Sequence, residues 1–349
     1  MYRVAVIKGD GIGAEVTNAA IEVMRAVTDK IDFVEFEGGI EVFKKFGVPI
    51  RERDLEEIKK MDAVLFGATS TPFNVPNYKS LILTLRKELN LYANLRIIPD
   101  LWRDREIYIV RENSEGLYSG VYRATNERAI DFRIITREGA EKITRFALGL
   151  AKERNFKEIT FVHKANVLRG DRFFRKIVLS LAEREGIKVN EKIVDSFTIE
   201  LVRKPWQHKV ILSENLFGDI LSDLASIHAK SIGVIPSGNY GEEIALFEPI
   251  HGSAPDIAGK GIANPIGAVL SGAMLLDYLG LDGWIIWNAV KNHVKKGNLT
   301  PDLGGNAMTV DVVNGIISEI DAQEIDPIEW DELWVDEIRI NTIPTLFRK

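Results

Sequence analysis

Apolar positions along the chain follow two alternating periods. Arg3–Ile7 is a short apolar run, and from Glu15 to Val27 the residues Val16, Ala19, Ala20, Val23, Ala26 and Val27 fall at helical spacing. The tight turn Gly9-Asp10-Gly11-Ile12-Gly13 separates the two. Further strands are predicted at Ile31–Phe36, Ala63–Phe66, Glu158–Val162, Lys188–Val194 and Lys209–Leu212. Further helices are predicted around Leu55–Lys60, at Phe173–Glu185 and at Phe217–Ala225. Another follows a Thr136 N-cap, with Ile143, Phe146, Ala147, Leu150 and Ala151 on one face. Pro265–Leu279 is apolar on all sides, which predicts a buried helix. Strands alternating with helices predict an α/β fold. No internal repeat or low-complexity linker marks a domain boundary.

Composition narrows the class. A chain of 349 residues, 46% hydrophobic and 28% charged, suits one large or two moderate globular domains. A net charge of -6 argues against an obligate nucleic-acid binder. With no cysteine, disulfides, zinc–thiolate sites and a thiol nucleophile are excluded. The first residues enter a strand without a signal-peptide layout, and the longest apolar stretch, Ile266–Leu276, is too short for a bilayer. These features predict a soluble cytoplasmic protein. Abundant Lys, Glu, Arg and Ile without cysteine point to a thermophile. The acidic tail from Asp321 carries Trp330 and Trp334, expected to pack on the same chain, with a subunit contact as the alternative.

Five groups of residues carry candidate chemistry. Gly9-x-Gly11-x-x-Ala14, with Glu35 and Glu37 downstream, fits a dinucleotide fingerprint loosely and keeps a Rossmann reading open. Asp219 and Asp223 in Asn215–Asp223 lie four apart on a predicted helix and share a face. Two such carboxylates need a cation, an Arg or Lys partner, or separation in solvent; hard oxygens suit Mg²⁺ or Mn²⁺. Arg86, Arg96 and Arg111 each follow an apolar residue, and a guanidinium fork is the natural partner of a carboxylate. Tyr118 and Lys164 stand in positions from which either could move a proton. The small-residue loop Glu248–Gly259, followed by Asn264-Pro265, would let a ligand approach the backbone closely.

Taken together, these segments resemble the β-decarboxylating dehydrogenases, the family of isocitrate, 3-isopropylmalate, homoisocitrate and tartrate dehydrogenases. The resemblance runs from Lys8–Gly13 to Thr300–Gly305, and the segments Asn215–Asp223 and His251–Gly259 are specific to the family. It implies a two-domain fold like that of the isopropylmalate and isocitrate dehydrogenases, not a Rossmann fold. The large nucleotide-binding domain would comprise residues 1–91 and 230–349. The small domain, residues 92–229, would carry the dimer interface and the metal-site aspartates. Arg86, Arg96 and Arg111 would hold substrate carboxylates. Asp219 and Asp223 would bind Mg²⁺ or Mn²⁺ together with Asp195 from the partner subunit. Lys164, also from the partner, would help remove the hydroxyl proton, and Tyr118 would protonate carbon after CO₂ leaves. His251, Gly252, Ser253, Ala254, Asp256, Ile257 and Asn264 would line the nucleotide site. NADP-using relatives place a basic and an aromatic residue where this chain has Asp256-Ile257, so the resemblance implies NAD.

The substrate substituent would face Lys79, Ser80, Ile82 and Leu83. Ile82 and Leu83 resemble the apolar pocket of isopropylmalate enzymes, whereas Lys79 would favour an extra carboxylate, as in homoisocitrate. Broad specificity is the expectation. Two alternatives stay open: a metal-independent Rossmann dehydrogenase of 2-hydroxy acids, and a non-catalytic regulatory subunit of the same fold.

Overall fold

The computed structural model describes residues 1–71 and 74–323. Trp330 and Trp334 lie outside them. Among the described residues the chain runs β1 (Tyr2–Gly9), α1 (Gly13–Val27), β2 (Ile31–Glu35), α2 (Ile40–Phe46), α3 (Glu52–Ile58), β3 (Ala63–Ala68) and α4 (Leu81–Glu88). It continues as β4 (Ala93–Asp100), β5 (Arg105–Glu112), β6 (Tyr122–Ala124), β7 (Ala129–Asp131), α5 (Arg137–Glu153), β8 (Glu158–His163), α6 (Arg169–Glu185), β9 (Lys188–Ile193) and α7 (Val194–Arg203). The last elements are β10 (Val210–Ser213), α8 (Asn215–Ala225), β11 (Pro236–Tyr240), β12 (Ala245–Pro249), α9 (Ile266–Tyr278), α10 (Trp284–Lys296) and α11 (Thr309–Ala322).

Ten strands form one sheet in the order β2-β1-β3-β12-β11-β4-β5-β10-β8-β9. Its two wings are parallel, and β12-β11-β4-β5 at the centre pair antiparallel. This is not the doubly wound order of a Rossmann sheet. Both faces are covered. Val4 and Val6 of β1 point into the main core, whereas Ala5 and Ile7 point into a second cluster with α3 and α4. That two-sided burial explains the continuous apolar runs of the wings. Every residue of α9 is buried, as its sequence predicts. The α5 cap also forms: Thr136 Oγ1 accepts from Gly139 N at 3.0 Å.

The central strands β4, β5, β11 and β12 lack a clean apolar period, and so do the short helices α2 and α4. Asn94, Arg96, Arg111, Asn239 and Glu248 interrupt those strands. The hairpin of β6 and β7 stands apart from the main sheet, exposed throughout. No helix among the described residues is long and apolar enough to cross a membrane.

Candidate active site

The N-terminal glycine turn is filled by protein. A Cβ on Gly11 would lie 2.0 Å from the Ser253 carbonyl oxygen, and Ile12 N donates to that same oxygen at 2.8 Å. The turn therefore clamps the His251–Gly259 loop. Asp10 accepts from Ser70 N at 2.9 Å, and the Ser70 and Ser253 hydroxyls are 2.6 Å apart, so the segment entering Lys79–Leu83 is tied to the same point. Glu35 pairs with Lys8 at 2.7 Å.

Three arginines, two aspartates and a tyrosine converge beside the central strands. Arg96 on β4 and Arg111 on β5 are buried, and α8 lies over β5. The close approach requires Gly218: a Cβ there would stand 2.8 Å from Arg111 Cβ and Cγ. Glu214 caps α8 by accepting from Phe217 N at 2.8 Å, which fixes the helix start. One turn later Asp219 and Asp223 both reach Arg96. Nη2 donates to Asp219 Oδ1 at 3.1 Å and Nη1 to Asp223 Oδ1 at 3.0 Å, with Ser222 Oγ accepting at 2.7 Å. Arg111 Nη1 also donates to Asp219 Oδ1. Its Nε and Nη2 donate to Asn215 Oδ1 at 3.0 and 2.8 Å. Of the three ways to tolerate two adjacent carboxylates, an arginine partner is thus present in the chain itself.

Tyr118 sits in the short helical turn Leu117–Ser119 and donates to Asp219 Oδ2 at 2.8 Å. Arg111 lies over its ring, 5.2 Å from the centroid. Burial, the hydrogen bond to Asp219 and the charge of Asp219 all raise the phenol above its ordinary 10.0. Burial would raise Asp219, yet the charges of Arg111 and Arg96 outweigh it and leave the carboxyl below 3.8. Burial and the charges of Arg96 and Arg86 lower Arg111 to about 9, so it remains a cation at neutral pH. Arg86 on α4 is the third guanidinium. Its Nη2 donates to Glu248 Oε1 at 3.1 Å.

Lys164 and Asp195 form a separate pair. Lys164 Nζ donates to Asp195 Oδ1 at 2.5 Å. Asp195 opens α7, with its side chain 67% exposed. Its hydrogen bond from Lys164 holds the carboxyl below 3.8. The loop carrying Lys164 is anchored from behind: Lys164 N donates to Asp171 Oδ2 at 2.6 Å, and Arg133 binds Asp171 Oδ1 at 2.5 Å and Glu214 Oε2 at 3.3 Å. Among the described residues no group of three or more acidic or histidine side chains in one chain could hold a metal.

The loop after β12 places His251, Ser253 and Asn264 in buried positions, while Gly252 and Asp256 are exposed. Ala254 adopts φ +38, a strained conformation for a residue with a side chain. His251 Nε2 is buried without a hydrogen-bond partner among the described residues. Asn264 Nδ2 donates to Asp302 Oδ2 at 2.9 Å, and its Oδ1 accepts from Ile266 N at 3.0 Å at the start of α9. Ile257 packs against the main core. Lys79 is exposed and Ser80 half-buried just before α4. Ile82 packs against the smaller core cluster, and Leu83, one turn before Arg86, is 42% exposed.

Glu214, Asn215, Asp171, Arg133 and the buried Asn94, Asn113 and Asn239 join the site although spacing alone does not single them out. A signal was present for the last three, because asparagine is disfavoured in strands and these lie in or beside apolar central ones.

A set of arginine forks beside a paired-aspartate helix and a tyrosine whose pKa is raised has the chemistry to bind carboxylates and to move a proton. The family model for isocitrate/isopropylmalate dehydrogenase matches residues 3–317. The isocitrate/homoisocitrate dehydrogenase of Pyrococcus horikoshii is 69% identical over 343 residues, 98% of this chain and 99% of that protein. The homoisocitrate dehydrogenase of Methanocaldococcus jannaschii is 43% identical, covering 92% of this chain and 98% of its own length. The solved β-decarboxylating dehydrogenase of Thermococcus kodakarensis superposes with a TM-score of 0.87 at 67% identity, covering 97% of this chain and 100% of that one.

This chain belongs to the isocitrate/isopropylmalate dehydrogenase family. It is a decarboxylating dehydrogenase that oxidises a hydroxy acid. The metal-independent Rossmann reading gives way, and the filled glycine turn is its physical counter-argument. The reading as a non-catalytic subunit gives way as well.

Proposed function

We propose that the chain oxidises and decarboxylates a 2-hydroxy-3-carboxy acid, with homoisocitrate, 3-isopropylmalate and isocitrate as candidate substrates, using NAD and a divalent metal. Its place would be amino-acid biosynthesis of the lysine or leucine type, in the cytoplasm. The observation that carries this reading is the convergence of Arg96, Arg111, Asp219, Asp223 and Tyr118 within direct hydrogen-bond distance, with the Arg86 guanidinium beside them.

The residues fit the cofactors. Asp219 and Asp223 present hard oxygens to one point, now shared by the Arg96 guanidinium, and suit Mg²⁺ or Mn²⁺. Asp195 of a second copy would be the third ligand. When bound, the metal supplies Lewis-acid stabilisation of negative charge on the substrate oxygen. The orphaned His251 Nε2 and the exposed Gly252 and Asp256 suit a nucleotide. Asp256 would accept the ribose hydroxyls of NAD and repel a 2′-phosphate. When bound, NAD would supply the hydride acceptor.

The chain's own groups do the rest. Arg86, Arg96 and Arg111 fix the carboxylates and hence the orientation of the reacting carbon. Lys164 from the second copy would help remove the hydroxyl proton, a role open to its amine only once it has left Asp195 and given up its own proton. Tyr118, held protonated by burial and by Asp219, delivers a proton to carbon once CO₂ has left. Lys79, Ser80, Ile82 and Leu83 contact the substituent.

The test is NADH formation by the purified chain on each of the three acids, with Mg²⁺, Mn²⁺ or EDTA. NADH should appear with metal and vanish in EDTA. Activity that survives EDTA would sink the metal role, and a preference above ~100-fold for one acid would sink broad specificity, since a single methylene separates substrates by about 10–200-fold.

A further inference from the structure

Arg86 enters the site from α4 and Arg96 from β4, and a buried polar chain joins them. Arg86 Nη2 donates to Glu248 Oε1 on β12 at 3.1 Å. The same oxygen accepts from Asn239 Nδ2 on β11 at 2.8 Å. Asn239 Oδ1 accepts from Asn94 Nδ2 on β4 at 3.1 Å and from Asn113 Nδ2, just beyond β5, at 3.0 Å. Asn94 Oδ1 then accepts from Arg96 Nε at 3.0 Å. Asn239 and Asn94 face each other in the antiparallel register, and neither has any exposed surface.

We infer that Asn239 is a positioning residue: it sets the separation of the Arg86 and Arg96 guanidinium groups, and through it the spacing of carboxylates the site accepts. This rests on the proposed role of the two arginines.

The chemistry of the position supports it. A carboxamide of this length donates to the Glu248 carboxylate through its nitrogen while its oxygen accepts from two other side-chain amides. Leucine would leave Glu248 short of a donor and Asn113 Nδ2 with Leu91 O alone, and would break the link to Asn94, whose Nδ2 keeps Ser237 Oγ at 2.7 Å. Aspartate would set a second anion beside Glu248. A buried polar chain is also a poor way to gain stability, because apolar residues of the same shape often do as well. Its gain is geometric. The hydrogen-bonded series ties Arg86 at Nη2 and Arg96 at Nε to one set of side chains, whereas apolar packing would leave the forks free to shift. Glu248 and Asn94 act through the same series, but Asn239 is its centre and touches neither arginine.

The test uses steady-state kinetics of the full chain with NAD, Mg²⁺ and each of the three acids. Asn239→Leu should raise KM for the preferred acid by ~10–100-fold, the cost expected of an ångström-scale misplacement. KM for NAD should move by less than about 2-fold, and the preference among the acids should flatten, because the loss falls on substrate placement. Asn239→Ser, which can still donate to Glu248, should recover part of the loss and serves as the reading if the leucine variant does not fold. An unchanged acid KM in the folded variants overturns the inference, as does a parallel rise in both KM values with unchanged preference. Arg86→Leu and Arg96→Leu separate the two layers. If neither raises the acid KM, the reading of the arginines fails. If they raise it and both Asn239 variants leave it unchanged, only the positioning role fails.

Discussion

The arginine–aspartate cluster and the Lys164–Asp195 pair are both charged, yet they are built in opposite ways. The cluster is closed by its own chain. Arg111 is 1% exposed, its guanidinium is shared between Asp219 and Asn215, and α8 lies over it. The pair stands at the surface, with Val167, Ile199 and Val202 exposed at 62%, 60% and 42% in the same elements. An exposed ion pair contributes little by itself. The cluster is thus organised by folding, whereas the pair, on the proposed function, would complete the site of a second copy. A site built from both would switch on with assembly.

The sharpest way to break that comparison is to mix inactive chains. Lys164→Met and Asp219→Asn should each abolish NADH formation. If Lys164 serves the neighbour's site, mixed dimers reassembled from the two variants carry one intact site, and the mixture should regain about a quarter of wild-type activity in a two-fold symmetric assembly. No recovery, with subunit exchange verified by mass, would place Lys164 in its own chain's site.

A second test asks where Tyr118 belongs. Its hydrogen bond to Asp219 puts it with the cluster. Tyr118→Phe should lower kcat by ~10²–10⁴-fold, the usual contribution of a positioned proton donor. Mixed with Asp219→Asn, it should give no recovery, because both defects fall in the same half. Complementation between those two would move Tyr118 to the other half.

The smallest effect is on stability. His163 lies in the lysine half, and burial lowers its pKa from 6.5, while Glu191 and Asp171 pull it up and Arg175 pushes it down. Burial likewise lowers His251 in the nucleotide loop. Above 6.5 both rings are neutral folded or unfolded. Below it the unfolded chain binds protons that the folded chain refuses, so stability is lost as pH falls from 6.5 through the folded pKa. The Tm should fall by a few degrees over that window, and less steeply in His163→Asn. An identical slope in that variant would show that the ring does not contribute.

The sequence was most readable where function is absent. The all-round apolar stretch gave the buried α9, Thr136 gave a working cap, and the parallel wings gave clear strands. It was least readable at the centre of the sheet. Asn94, Arg96, Arg111, Asn239 and Glu248 break the apolar period there because those strands carry the site. The glycine turn misled for a related reason. Gly11 is needed for the approach of the Ser253 carbonyl, a contact more than two hundred residues away in sequence.

What the sequence determined by itself was the inventory: an α/β chain without cysteine, a helix with two aspartates on one face, and two segments specific to a family. Side-chain period and covalent spacing are local, so they survive in a linear reading. Only the tertiary structure decided which groups meet. It gave Asp219 and Asp223 to Arg96, tied Arg86 to Arg96 through three side chains on three strands, and left Lys164 and Asp195 outside. Those pairings depend on strand order and on the burial that strengthens each charge, and neither is encoded at short range.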